Sequence, residues 1–91
     1  MVLTDKEIRE IERRLNDATP GPYMVGKTGG SVVTDNPIDG CLGGSDAISY
    51  YGGYLIAESI TPKNSRFLAG SWQDIKNLLE TIRTERRENN D

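Results

Sequence analysis

Apolar positions form a helical stripe near each end of the chain, with a glycine-rich, alternating middle between them. The densest stripe lies in Asn64–Arg83, NSRFLAGSWQDIKNLLETIR, where Phe67 and Leu68 are followed by Trp72, Ile75, Leu78, Leu79 and Ile82. From Ile75 onward the spacing of 3, 1 and 3 puts four aliphatic side chains on one helical face. The upstream segments are short or broken by glycine and need that face to pack against. Near the N-terminus, Ile8, Ile11 and Leu15 make a narrower stripe. Thr4 and Glu7 have capping-box spacing, and Asp5 and Glu7 fall in the first turn. Lys6–Glu10 and Glu10–Arg14 are at helical spacing on the charged faces, as in a solvated amphipathic helix. Thr19-Pro20-Gly21-Pro22 must end it.

In the middle, Tyr23–Lys27 and Ser31–Thr34 flank Thr28-Gly29-Gly30, a hairpin signal. Asn36 to Asp46, with its proline and glycines, reads as a loop. Ala47–Tyr51 and Tyr54–Ile60 flank Gly52-Gly53, which reads as a second hairpin, and YLIAESI is the best strand of the chain. Pro62 breaks that strand, Asn64 caps a short helix through Arg66–Ala69, and Gly70-Ser71 interrupts it. The last helix then starts near Gln73 and enters a charged tail, about 84–91, expected to fray. The pattern predicts a single α+β domain over residues 1–91. It consists of a short antiparallel sheet of three or four strands flanked by N- and C-terminal helices.

Composition narrows the function classes. Of 91 residues only 35% are apolar and 10 are glycine, a thin core for one chain, so a homo-oligomer is expected. A net charge of −3 argues against sequence-independent nucleic-acid binding, which needs a basic stripe. Cys41 is the single cysteine, so neither an intrachain disulfide nor a thiolate metal cage can form. No signal peptide or apolar run of membrane length is legible, which predicts a cytoplasmic protein without membrane contact.

The candidate chemistry is recognition rather than catalysis. Gly21 to Thr28 fits the phosphate-loop pattern GxxxxGK[ST]. That motif works only between a strand and a helix, whereas here a helix precedes it and TGGSVVTDNP follows, so the match is a coincidence. With no histidine, Ser-His and Cys-His pairs and histidine metal sites are excluded. Asp35, Asp39, Asp46 and Glu58 are the carboxylates off the charged helices and tail; their spacing alone leaves an acid–base pair open, so a phosphodiesterase-like enzyme stands as the third and least favoured reading. No catalytic residue, metal or cofactor is assigned. Tyr23, Tyr50, Tyr51 and Tyr54 lie in the glycine-rich region, and Lys27, Lys63 and Arg66 are the cations outside the charged helices. Lys63 and Arg66 flank Asn64 at a helix start, where anions bind well. Aromatic faces with cations and turn amides suit a small ligand bearing a base and phosphates. Lys63, Asn64 and Arg66 would hold phosphate, and Tyr23, Tyr50, Tyr51, Tyr54 or Trp72 would supply the stacking face. For each aromatic, plain core packing is the competing assignment.

Two motifs resemble a known family. Ala18-Thr19-Pro20-Gly21-Pro22-Tyr23 after an amphipathic helix resembles the ATPGPW signature of small Ead-like accessory proteins of tailed phages and prophages. Asn64-Ser65-Arg66-Phe67-Leu68-Ala69, with Asp74-Ile75 and Leu78-Leu79, is similar to their closing NAxFIAxxxxDIPALL segment. The likeness covers the first quarter and last third of the chain. It departs at Tyr23 (usually Trp), Gly70 (often His) and Lys76 (usually Pro). The resemblance implies a non-enzymatic phage accessory protein acting in the infected cell. Its expected role is anti-defence: sequestration, without cleavage, of a nucleotide-derived immune signal such as a cyclic ADP-ribose isomer or a cyclic oligonucleotide. The alternative is a protein–protein inhibitor or adaptor acting on a host defence enzyme.

Overall fold

The computed structural model describes residues 2–38 and 44–89, with side chains to 87. Asp39 and Cys41, and the part of the expected loop around them, lie outside the described residues. Helix α1, Asp5–Asp17, starts as its sequence demands. The Thr4 side chain accepts from the Glu7 amide at 3.1 Å while the Glu7 carboxylate accepts from the Thr4 amide at 2.9 Å. Strands β1 (Tyr23–Val25), β2 (Val32–Thr34) and β3 (Tyr54–Ala57) form an antiparallel sheet in the order β1-β2-β3. The expected α+β architecture is therefore present, with three strands.

The first hairpin forms where the glycines predict it. Gly26 N–H bonds the Ser31 carbonyl at 3.0 Å, Gly29 N–H bonds the Gly26 carbonyl at 3.0 Å, and Gly29 takes a left-handed φ of 76°. The second expected hairpin does not exist. Ala47–Tyr51 belongs to helix α2, Gly44–Tyr51, and Gly44 to Asp46 are its first turn rather than loop. Gly52 and Gly53 stop this helix, both bonding the Ile48 carbonyl, with Gly52 at φ 83°. A pair of glycines can close a helix as well as a hairpin, and five residues of mixed apolar character suit either element.

The C-terminal half differs in the same direction. Pro62 opens the last helix instead of preceding it, so α3 runs unbroken over Pro62–Asn89. Asn64 sits inside the first turn, and Ser65 N–H already bonds the Thr61 carbonyl at 2.9 Å. Gly70-Ser71 causes no break: Ser71 Oγ satisfies itself on the Phe67 carbonyl one turn back at 2.7 Å, and the helix is held by its packing on β1, β2 and α1. The charged segment continues as helix to Asn89. Arg86 ties it to the start of α1 by pairing with Asp5 and donating to the Leu3 carbonyl at 2.7 Å.

The core is small. Ile8, Val32, Val33, Ala69 and Leu79 are its buried apolar residues, joined by buried Ser31, Thr34 and Ser65. Each of the polar three has a partner. Ser65 Oγ donates to the Gly29 carbonyl at 2.7 Å, Thr34 Oγ1 to the Pro20 carbonyl at 3.2 Å, and the Ser31 and Thr28 hydroxyls bond each other at 2.9 Å. Of the four aliphatics expected to form one core face on α3, Leu79 alone is buried. Ile82 is half-buried, and Ile75 and Leu78 are exposed at 37% and 61%. The sheet packs mainly on the first half of α3 through β1, and α1 covers only part of that helix.

Candidate functional site

An open groove of about 630 Å³ lies where the sheet, α1 and α3 fail to close on one another. Ile11, Arg14 and Leu15 of α1 form one wall, and Leu68, Ser71, Trp72 and Ile75 of α3 the other. Tyr23, Val32, Ile56 and Ala57 of the sheet, with Ala18, make the floor. The floor exists because β3 carries a bulge. Val32 pairs with Ala57 and Val33 with Leu55, so Ile56 is an extra residue and both Ile56 and Ala57 reach the groove.

Trp72 and Tyr23 are its aromatic members, with ring centroids 6.2 Å apart and planes tilted by 37°. Their positions follow from the turn ahead of β1. Gly21 lies directly against the indole, and a Cβ there would come within 2.3 Å of Trp72 Cε3, so only glycine permits this approach. Tyr23 Oη donates to the Thr19 carbonyl at 2.6 Å, and burial pushes its phenol above the ordinary value of 10.0. Lys76 Nζ stands 5.2 Å from the indole centroid. Trp72 Nε1 is buried without a hydrogen-bond partner, a desolvation cost on the order of 1–3 kcal/mol. Arg14, exposed, is the cation at the groove, and the rest of the lining is almost wholly apolar.

The residues singled out from sequence divide among separate places. Tyr23 and Trp72 share the groove. Tyr50 and Tyr51 meet edge to face, centroids 4.8 Å apart, at the end of α2 beside a smaller hollow lined by Thr28, Gly30, Glu58, Ser59 and Ile60. There Tyr51 donates to the Glu58 carboxylate, and that bond, ahead of burial, raises its phenol pKa. Tyr54 begins β3 opposite Thr34 and lines neither cavity. Lys63, Asn64 and Arg66 are exposed on the first turn of α3 and are absent from the groove lining. At 100° per residue Lys63 and Arg66 point about 140° and 160° away from Leu68, so they face away from the groove. The expected convergence of cations and tyrosines is not formed.

The residues that sequence reasoning missed are Arg14 on α1, Ile56 and Ala57 at the bulge, and Leu68 and Ile75 as groove wall rather than core. Ile11, Arg14 and Leu15 do lie at helical spacing, which was a usable signal for one wall; the bulge left none. The phosphate-loop match resolves into β1 and its turn, where the Gly26 amide is spent on the Ser31 carbonyl and Lys27 Nζ on the Ser49 carbonyl at 3.3 Å. Asp35 and Asp46 are exposed, and Glu58 is engaged by Tyr51. Among the described residues no group of three or more carboxylate, cysteine or histidine side chains could hold a metal ion. No helix among them is long and apolar enough to cross a membrane. The chain matches no family model, no curated protein and no solved structure.

Proposed function

We propose that the protein captures a small ligand carrying an aromatic base in the groove and holds it without turning it over. The observation that carries this reading is the Tyr23–Trp72 aromatic pair in an open cavity of about 630 Å³, a size within the usual range for small-molecule sites. A base stacks against the aromatic wall while apolar edges contact Leu68 and Ile56. An anionic group is met by Arg14, which can grip a phosphate bidentately. The ligand class is the nucleotide-derived immune signal that the phage-family likeness implies. The protein would act as a homo-oligomer in the cytoplasm of an infected bacterium, with Arg14 replacing Lys63 and Arg66 as the phosphate anchor.

Calorimetry against a panel of cyclic oligonucleotides and cyclic ADP-ribose isomers tests this, followed by heat denaturation to recover the ligand. One panel member should bind and be released chemically intact. Arg14→Ala, an exposed change, should weaken that binding by about 1.5–3 kcal/mol, as for a lost charged hydrogen bond, while Arg66→Ala should leave it unchanged. Recovery of a cleaved product would make the protein an enzyme, and silence across the panel would overturn the reading. Silence would favour the alternative, an inhibitor or adaptor docking on a host protein, for which the observation is the bare Phe67 and Leu78 on α3.

A further inference from the structure

One ridge of α3 carries a pattern that the single chain uses only in part, since Ser71 and Ile82 are half-buried and the rest is exposed. Leu68, Ser71, Ile75, Leu78 and Ile82 follow one another at intervals of 3, 4, 3 and 4 residues, the spacing of a helix–helix seam. Phe67 lies beside them. Phe67, Leu68, Ile75 and Leu78 are 73%, 41%, 37% and 61% exposed. None of these positions is charged. Ser71, the polar member, has its hydroxyl satisfied by the Phe67 carbonyl of its own helix, so covering it leaves no unpaired donor. The seam is thus ready to be buried along two heptads.

Its occupant is indicated by area. The chain exposes 6581 Å², whereas a compact monomer of 10.1 kDa exposes about 5,300 Å². The excess of about 1,300 Å² per chain is spread over the chain, and the bare apolar residues of the α3 ridge are the part of it that a second copy would cover. The radius of gyration agrees, at 15.9 Å against the roughly 12 Å of a compact domain of this length. A twofold contact requires a surface that complements itself, and an uncharged seam of alternating spacing does so when apposed to its own copy.

We infer that a second copy of this chain packs along the Leu68–Ile82 seam of α3, and that its helix roofs the groove. Leu68, Ser71 and Ile75 belong both to the seam and to the open wall of the cavity, so burying the first closes the second. The inference deepens the ligand-capture reading by completing its site, but its test needs no ligand. Light scattering at micromolar concentration should give twice the mass of one chain. Leu78→Glu and, independently, Phe67→Glu should each halve that mass with far-UV circular dichroism unchanged, since both residues are exposed in the single chain. Trp72, the sole tryptophan, reports on the roof. Its quenching by acrylamide should rise several-fold in both variants. A wild-type mass other than two chains, or a two-chain mass that survives both substitutions, overturns the inference. So does quenching that stays constant while the mass halves. If the dimer holds and no nucleotide binds, the ligand reading alone falls.

Discussion

Leu78 and Leu79 are adjacent in sequence and identical in chemistry, yet one is 61% exposed and the other 6%. The difference is one helical step of about 100°, enough to turn one side chain toward the molecule and the other to solvent. Leu79→Ala should therefore lower the unfolding free energy by about 2–5 kcal/mol, as for a buried leucine in a small core that cannot collapse around the void. Urea denaturation measures it, and an unchanged midpoint would place the core elsewhere. Glu7 shows a second residue-scale effect. Its bond from the Thr4 amide, then that from the Thr4 side chain, holds its carboxyl below the ordinary value of 4.5. A lowered folded-state value means that the stabilisation is present above the ordinary value and is lost as pH falls through the folded one. The stability gap between wild type and Glu7→Gln should accordingly be open at neutral pH and close in acid. A gap that widened in acid would contradict the capping geometry.

At the scale of elements, the chain stops its helices by different means than its local signals suggest. Gly52-Gly53 ends α2, whereas Gly70, the other strong breaker, sits unremarked within α3. Glycine in a helix interior costs roughly 0.5–1 kcal/mol relative to alanine, and an added Cβ at Gly70 would meet only Asp74 Oδ2, at an ordinary 3.5 Å. Gly70→Ala should thus stabilise the protein by about that amount, seen as a higher melting temperature. A fall would mean that α3 needs flexibility at Gly70. The opposite holds at Gly21, where the indole of Trp72 leaves no space for a side chain. The two glycines look alike in sequence and differ wholly in what surrounds them.

At the scale of the whole molecule, the chain extends over 53 × 27 × 17 Å, and the far part of the long helix α3 lies against α1 and the residues just before it. Arg83–Glu12 and Arg86–Asp5 join the two helices along that extension; both pairs are partly exposed and contribute at most about 1 kcal/mol each. The molecule consequently keeps an unfilled seam and an unfilled groove side by side, and the proposals for ligand and second copy both start from them. Local signals sufficed for α1 and its cap, for the first hairpin, for a helix across Ile75–Ile82 and for the α+β class. Each depends on contacts within a few residues: a capping box, a glycine at positive φ, a 3.6-residue period. The helical state of Ala47–Tyr51, the continuity of α3 through Gly70 and the burial of Leu79 rather than Leu78 were decided by tertiary structure. So were the separation of Lys63 and Arg66 from the aromatics and the meeting of Arg14, Tyr23, Ile56 and Trp72 around one cavity. In those cases the local preference was ambiguous or the partners are distant in sequence, so the contacts of α3 with β1 and β2, and of α2 with β3, decided the outcome.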